Sequence, residues 1–206
     1  HPWEEIGPGY CYGPAFGHWD LMHQVFDVYR ADLTHAKRQV LNLFAVQAPD
    51  GFMPGTVWMR EAEPRWGREI SHPPVWPLAL EACLRQDADP DLLATGFDAL
   101  TRQIDWFEAN RRSEPEGFYY RDILTRDWES GIDEGVRFDD VQTGPFACVD
   151  ATSHVYALYV QGAEWAAQLG RAADRFRARA EALRAFIRTQ LFVEAEGFFY
   201  DVWAVD

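Results

Sequence analysis

A cluster of carboxylates, glycines and aromatic rings occupies residues 128–140. It opens with Trp128-Glu129-Ser130-Gly131-Ile132-Asp133-Glu134-Gly135 and continues with Arg137-Phe138-Asp139-Asp140. No apolar periodicity runs through these residues, and each glycine would cost about 1 kcal/mol in a helix interior. We therefore predict a loop whose backbone can approach a ligand closely, set against the ordinary alternative of a solvated acidic loop.

Two further segments, residues 10–20 and 50–76, share this mixture of aromatic residues, glycines and carboxylates. Flat rings beside convergent hydrogen-bonding groups suit a sugar, which offers an apolar C–H face and a rim of hydroxyl groups. Cleaving a glycosidic bond needs one protonated carboxyl to release the leaving oxygen and one ionised carboxylate to activate water or attack carbon. Asp133 is a candidate acid, because the neighbouring Glu129, Glu134 and Trp128 would favour its protonated form. Glu129 itself is expected to bond the loop backbone.

The composition indicates a folded globular domain, since 206 residues with 48% hydrophobic content can bury a sizeable core. The net charge of −14 argues against nucleic acid or an anionic membrane as a partner. Cys11, Cys83 and Cys148 are odd in number and far apart, which excludes a disulfide framework and a zinc ribbon. His18 and His23 are five residues apart and do not share a helical face, so we predict no metal site and no cofactor.

The sequence contains no apolar run near the roughly 20 residues of a membrane span, and no signal peptide is visible. We therefore expect a cytoplasmic protein. The chain begins at His1 without a Met, which favours an excerpt of a longer product. Residues 1–206 are accordingly expected to form a single, partial domain.

Apolar spacing predicts six helices, which follow one another in pairs. Asp32 and Asp89 are suitable N-caps, and Gly170 suits the C′ position of the fifth helix. The predicted helices carry, in chain order, Trp19/Met22/Phe26/Tyr29, then Ala36/Val40/Leu43/Phe44, then a helix opened by Pro73-Pro74 and running to about Arg85, then Leu93/Phe97/Leu100/Ile104/Phe107, Val155/Leu158/Tyr159/Gly162/Ala166/Leu169 and Phe176/Ala180/Leu183/Ile187.

An internal repeat supports this pairing of helices. Asp50-Gly51-Phe52, Glu116-Gly117-Phe118 and Glu196-Gly197-Phe198 each follow the second helix of a pair. No alternating strand pattern is convincing, and the aromatic residues at 118–120 and 198–200 are expected to form at most short hairpin edges. The sequence therefore predicts an all-α fold built as an array of helical hairpins.

The string Glu129-Ser130-Gly131-Ile132-Asp133 resembles the Glu-Ser-Gly-x-Asp signature of the six-hairpin (α/α)6 glycosidases, the clan of glycoside hydrolase family 63 and the trehalases of family 37. Other short segments match that clan in the same order. They are Trp19-Asp20 at the opening of the first inner helix, Gly51-Phe52-Met53-Pro54, Ser71-His72-Pro73-Pro74, and Val149-Asp150 at the start of a later inner helix. The resemblance implies an (α/α)6 toroid or a half of one.

The resemblance further implies an inverting α-glycoside hydrolase with Asp133 as general acid. The substrate class it suggests is that of the bacterial family 63 enzymes, such as mannosylglycerate hydrolase, which act on small α-glucosides or α-mannosides. No cofactor is implied, and the expected partner is a small carbohydrate substrate. The candidate substrate-binding residues are Tyr12, Phe16, Trp19, Asp20, His72, Trp76, Trp128 and Glu129.

The sequence departs from the trehalases at three positions. Gly55 stands where they have Asn, Ile70 where they have Arg and His72 where they have Gln, so trehalase activity itself is not expected. A full toroid has twelve helices and only six are predicted here, and no residue matches the family's general base, a glutamate. We therefore expect the N-terminal half of a catalytic domain, which would contact a missing C-terminal half or form a homo-oligomer.

Two other functions remain open from the sequence. The first is a non-catalytic carbohydrate-binding half-toroid that dimerises to cover its exposed hairpin faces. The second is a sugar epimerase on the same all-α scaffold, in which His72 or His154 would transfer protons.

Overall fold

The structure is a computed structural model, and it describes residues 15–58, 65–66, 69–113, 116–125, 128–132, 135, 137 and 146–203. The helices are α1 (His18–Val28), α2 (Leu33–Ala45), α3 (Trp76–Gln86), α4 (Pro90–Asn110), α5 (Asp122–Thr125), α6 (Val149–Gln168) and α7 (Asp174–Phe186), the last followed by a π-helical turn at Ile187–Leu191. The strands are β1 (Ala15–Gly17), β2 (Thr56–Trp58), β3 (Arg65–Trp66), β4 (Phe146–Ala147), β5 (Phe192–Val193), β6 (Phe198–Phe199) and β7 (Val202–Trp203). The predicted all-α class is confirmed, because each strand has only two or three residues.

The chain divides into two compact units, residues 1–103 and residues 104–206, and helix α4 runs from the first into the second. In the first unit α1, α2 and α3 pack against one another, and β1, β2 and β3 form a small antiparallel sheet. In the second unit α6 packs along α7, β4 pairs with β7 and β5 pairs with β6. Among the described residues, no helix combines the length and the hydropathy needed to cross a lipid bilayer.

The two units repeat one arrangement. A short strand precedes a helix pair and pairs antiparallel with a strand that follows the pair, β1 with β2 and β4 with β7. Matching these strands aligns Phe16-Gly17-His18-Trp19-Asp20 with Phe146-Ala147-Cys148-Val149-Asp150. Asp20 and Asp150 correspond in this strand alignment, and both lie in the first turn of their helix, Asp20 as the third residue of α1 and Asp150 as the second of α6.

The repeated turn glycines are required for more than one reason. Gly51 has a φ of +95°, a backbone conformation that L side chains rarely adopt. At Gly117 the reason is contact, because an added Cβ would come 2.2 Å from the Cβ of Ala147. The sequence pattern thus marks the turns correctly without revealing why each needs glycine.

Most predicted helix faces are confirmed, and the first is wrong. Helix α1 buries Leu21, Met22 and Val25, whereas Phe26 is 37% exposed. The predicted stripe failed because large apolar residues lie on two adjoining faces of this helix, so the spacing alone does not select one. As a consequence Trp19 lies at the edge of the core, half-buried.

The third helix also begins later than predicted. It starts at Trp76 with Pro77 in its first turn, while Pro73 and Pro74 are buried in the segment that precedes it. The predicted caps are confirmed, since Asp32 Oδ1 accepts from the His35 backbone N–H at 2.9 Å and Asp89 Oδ1 accepts from that of Leu92 at 3.0 Å.

Candidate active site

A turn at residues 128–132 forms the first described part of the predicted catalytic loop, and its first anchor is Glu129. The Glu129 side chain is fully buried and receives two parallel bonds from Arg111, Nε to Oε2 at 2.8 Å and Nη2 to Oε1 at 2.9 Å. The backbone N–H of Arg121 also donates to Oε2, at 2.5 Å. This agrees with the expectation that Glu129 bonds backbone, and it makes Glu129 an anchor of the turn.

The guanidinium of Arg111 is held on a second side as well. Its central carbon lies 4.8 Å from the ring centroid of Trp106, a cation–π geometry. A bidentate carboxylate pair combined with a stacked face restricts the guanidinium to one orientation. The position of Glu129 is therefore defined by a rigid partner.

Asp122 is the second anchor of the turn. Its side chain is fully buried, and Oδ2 accepts from the backbone N–H of Ser130 at 2.8 Å. Its other oxygen, Oδ1, has no hydrogen-bond partner in the described part of the chain. Burial raises the pKa of the Asp122 carboxyl above its ordinary value.

Local bonds complete the turn. The backbone N–H of Ile132 donates to Ser130 Oγ at 3.1 Å, and that of Gly131 donates to the Trp128 carbonyl at 3.2 Å. Gly131 has a φ of +71°, in the left-handed region that favours glycine. Trp128 is 40% exposed, and its carbonyl is held by the Gly131 N–H.

Three predicted site residues cannot be placed in full. Asp133 and Tyr12 lie outside the described residues, and for Phe16 only the backbone, in β1, is described. The described chain resumes after Asp133 at Gly135 and Arg137. The roles predicted for Asp133, Tyr12 and Phe16 stay predictions.

Arg137 ties the far end of the loop to the start of α6. Its Nη2 donates to Asp150 Oδ2 at 2.6 Å and its Nη1 to Asp201 Oδ2 at 3.2 Å. Asp201 Oδ1 in turn accepts from the backbone N–H of Val149 at 2.7 Å. Three segments of the second unit thus meet at one guanidinium.

Ligand atoms of Cys148, Asp150 and Asp201 lie within 4.8 Å of one another, a grouping that could hold a cation. The Arg137 guanidinium already bonds both carboxylates, so it supplies the positive charge that such a group needs. Burial raises the pKa of the Cys148 thiol, which therefore stays protonated and is a poor metal ligand at neutral pH.

In the first unit the structure brings Trp19 and His72 together. Their ring centroids lie 6.1 Å apart in an edge-to-face arrangement, and the ring of His23 contacts Trp19 at 5.5 Å in the same manner. Asp20 follows in the first turn of α1, half-buried, where a carboxylate interacts favourably with the helix dipole. A half-buried indole held by two rings beside a carboxylate is a suitable surface for a sugar.

Two buried histidines lie beneath this surface. Burial lowers the pKa of His72 to about 3, and burial together with repulsion from His72 lowers that of His18 to about 3. Both rings are therefore neutral at physiological pH. Neither ring nitrogen of His18 has a hydrogen-bond partner within the described ranges.

Gly55 allows the segment that carries His72 to lie against the start of α1. Its N–H donates to the Ile70 carbonyl at 2.9 Å, and its carbonyl accepts from the His18 N–H at 2.8 Å. A Cβ at this position would come 2.5 Å from the Ser71 carbonyl oxygen and 2.9 Å from His72 Cδ2. The glycine and the histidine, which stand at two of the three positions that differ from the trehalases, therefore fit each other sterically.

Trp76 belongs to the core of the first unit. Its side chain has no exposed surface, its indole N–H donates to Gln103 Oε1 at 2.7 Å, and its ring contacts that of Phe44 at 4.9 Å. These contacts explain Trp76 by packing, and they leave no ring face open to a ligand.

Several residues that fix the site were missed by sequence reasoning, chiefly Arg111, Asp122 and Asp201. Each is a charged residue whose role depends on burial against a partner distant in sequence, and no local spacing reveals that. The one available signal was the repeat, because Asp201 follows the third acidic-Gly-Phe turn at the place where the returning strand begins.

The fold is shared with solved structures of glycosidases. The chain is similar to the family 63 mannosylglycerate hydrolase of Thermus thermophilus in complex with glucose, with a TM-score of 0.77 and 17% identity over 98% of this chain and 62% of that one. The same enzyme in complex with Tris and D-glycerate matches with a TM-score of 0.70 and 16% identity over 91% and 61% of the two chains. An uncharacterized conserved protein of that organism matches with a TM-score of 0.77 and 18% identity over 97% and 61%. These likenesses confirm the helical-hairpin fold of the (α/α)6 enzymes.

Residues 14–206 match the model of the mannosylglycerate hydrolase MGH1-like glycoside hydrolase domain. The chain therefore belongs to that family of glycoside hydrolase domains, and the predicted resemblance to family 63 is confirmed. It spans about three fifths of the length of the solved relatives, 62% in the first comparison. No curated protein sequence matches it.

Proposed function

We propose that the protein carrying this chain is an inverting α-glycoside hydrolase of a small α-glucoside or α-mannoside, with Asp133 as its general acid. The observation that supports this most is the turn at residues 128–132, which two buried carboxylates hold directly before Asp133. Membership of a glycoside hydrolase family supports the reaction class.

The solved relatives support a small substrate. One was determined with glucose and another with Tris and D-glycerate, which are a single sugar and a short polar acid. A sugar joined to a three-carbon acid is therefore the first substrate class to test. Trp19 would stack on the apolar face of the sugar, and Asp20 would accept hydrogen bonds from its hydroxyl groups.

In the proposed reaction Asp133 donates its proton to the glycosidic oxygen as the bond between that oxygen and the anomeric carbon breaks. Positive charge develops at the anomeric carbon, and a water deprotonated by a general base attacks the opposite face, so the configuration inverts. No residue of this chain matches the family's general base. To keep its proton at the working pH, Asp133 needs an apolar side chain close by that disfavours its charged form. The partly exposed Trp128 is suited to provide part of these apolar surroundings.

The epimerase alternative is less well supported by the electrostatics. A general base works best when its pKa lies near the operating pH. Burial lowers the pKa of His72 to about 3, so its neutral imidazole is a weak proton acceptor at pH 7. Burial also lowers the pKa of His154, whose Nδ1 lies 2.8 Å from the Tyr120 hydroxyl.

The test is hydrolysis by the purified protein of 4-nitrophenyl α-glucoside and α-mannoside, and of the glucoside and mannoside of glycerate. The expected result is release of the sugar with the β anomer formed first, followed by proton NMR, and a loss of about 100-fold or more in kcat for Asp133→Asn. Asp139→Asn, a carboxylate of the same loop with no role in the proposed reaction, is the matched control and should retain turnover. Full turnover by Asp133→Asn would refute the assignment, and sugar binding without any hydrolysis by the wild type would favour a binding module.

A further inference from the structure

We propose that Arg137 is the positioning residue of the catalytic loop, and that it holds the loop by bonding Asp150, the aspartate of the second unit that corresponds to Asp20 of the first. The proposal rests on the proposed function, in which Asp133 is the acid and Asp20 binds substrate. It adds a specific role for the ion-pair triad of Arg137, Asp150 and Asp201.

The repeat supplies the first argument. The aligned segments ending in Trp19-Asp20 and Val149-Asp150 open corresponding helices, α1 and α6. In α6 the aspartate is already bound, because Arg137 Nη2 lies 2.6 Å from Asp150 Oδ2. The same position of the repeat thus carries an aspartate in both units. In the second unit the Arg137 guanidinium binds that aspartate, Asp150, whereas in the proposed function Asp20 of the first unit binds the sugar.

The second argument is the place of Arg137 in the loop. Upstream of Asp133 the chain is fixed at Glu129 by Arg111 and at Ser130 by Asp122. Downstream, the next described side-chain anchor is Arg137. Fixing a segment at both ends reduces the number of conformations it can adopt, and we infer that these anchors reduce the entropy that Asp133 loses on reaching the reactive geometry.

The third argument is the electrostatics of the triad. Arg137, Asp150 and Asp201 have side chains that are only 20%, 19% and 11% exposed. Two carboxylates this close together and largely shielded from water repel each other unless a cation lies between them. The Arg137 guanidinium is therefore needed between Asp150 and Asp201 to offset their repulsion. Because Arg137 belongs to the catalytic loop, this ion pairing also fixes the loop downstream of Asp133.

A second triad in the same unit provides a matched control. Arg179 pairs with Glu108, Nε to Oε1 at 2.9 Å, and with Glu116, and its side chain is 16% exposed. Like the Arg137 triad it places one largely buried guanidinium between two carboxylates, with the difference that Arg112 also pairs with both Glu108 and Glu116. It holds the turn after α4 rather than the loop. Its loss should lower stability without acting on Asp133.

The experiment compares Arg137→Lys and the charge-relieved triple variant Arg137→Met/Asp150→Asn/Asp201→Asn with Arg179→Lys and Arg179→Met/Glu108→Gln/Glu116→Gln. Each protein is examined for kcat and KM on the best α-glycoside substrate, and for backbone amide exchange by mass spectrometry. The lysine variants keep the charge and should stay folded even if a triple variant does not.

We expect the Arg137 variants to lose at least 10-fold in kcat with KM changed less than 2-fold, and to exchange faster in peptides covering 128–137. The Arg179 variants should retain kcat and exchange faster only around 108–118. Wild-type kcat in a folded Arg137 variant, or a loss of kcat without faster exchange at 128–137, would overturn the proposal. Failure of the proposed function is seen separately, as turnover by Asp133→Asn, because the exchange measurement does not depend on hydrolysis.

Discussion

Replacing Glu129 by glutamine separates an anchoring role from a substrate-binding role. The substitution keeps the size of the side chain and one acceptor oxygen, but it removes the negative charge that faces Arg111. A glutamine oxygen in the place of Oε2 can still accept from Arg111 Nε and from the Arg121 N–H, and the NH2 group then faces Arg111 Nη2. The guanidinium is left without its counter-charge.

The expected loss follows from burial. Glu129 is fully buried and the Arg111 side chain is only 11% exposed, so water cannot replace the missing charge. Breaking a buried ion pair by removing one partner destabilises a protein by about 3–5 kcal/mol. We expect the lower end, about 3 kcal/mol, because the glutamine oxygen retains the hydrogen bonds from Arg111 Nε and the Arg121 N–H. In a chain of this length that corresponds to a fall in Tm of roughly 6–12 °C.

The assay is urea denaturation followed by tryptophan fluorescence, which should show a lower midpoint with an unchanged m value. Glu108→Gln is the control, because Glu108 also accepts from arginines and from the Tyr159 hydroxyl but is 24% exposed. It should lose only about 1 kcal/mol. Unchanged stability of Glu129→Gln together with a raised KM would refute the anchor and restore Glu129 to the substrate-binding set.

Two further predictions concern the first unit. Because the folded pKa of His18 is about 3 and the unfolded value about 6.5, the unfolded state binds more protons between these limits, and stability is lost as the pH falls from 6.5 toward 3. From pH 7 to pH 5 the free energy of unfolding should fall by about 2 kcal/mol for each of His18 and His72. The His18→Phe variant should therefore lose about 2 kcal/mol less than the wild type over this range. Equal losses in variant and wild type, measured by urea denaturation at both pH values, would contradict this. Gly55→Ala should destabilise by about 1–3 kcal/mol because its Cβ would meet the Ser71 carbonyl at 2.5 Å; a wild-type Tm by calorimetry would show that the Ser71 segment gives way freely.

Much of the fold could be predicted from the sequence because its signals are local. Apolar spacing marks the helices, as in α4, where Leu93, Phe97, Leu100, Ile104 and Phe107 are all buried. Acidic-Gly-Phe strings mark the turns, and the caps are read from single residues. The short hairpin edge expected at 198–200 is present as β6, which pairs with β5. Strands β1, β2, β3, β4 and β7 were missed because two or three residues carry no alternating pattern.

The candidate site could be predicted only in part. Residue types in the loop at 128–140 indicated the chemistry, and the resemblance indicated the family. What holds the loop depends on burial and tertiary contacts that local spacing does not show, as with Asp122, which accepts from the Ser130 N–H, and Arg137 between Asp150 and Asp201. Trp76 shows the reverse case, since a tryptophan beside a predicted ligand loop is buried by tertiary packing.

The central claim, that Asp133 is the proton donor to the leaving oxygen, is tested most directly by the dependence of the Asp133→Asn variant on the leaving group. A good leaving group such as 2,4-dinitrophenolate needs no proton, whereas an alkoxide such as that of glycerate does. We predict that the variant loses about 100-fold or more in kcat on the glycerate glycoside and less than 10-fold on the 2,4-dinitrophenyl glycoside. An equal loss on both substrates would contradict the assignment of Asp133 as general acid.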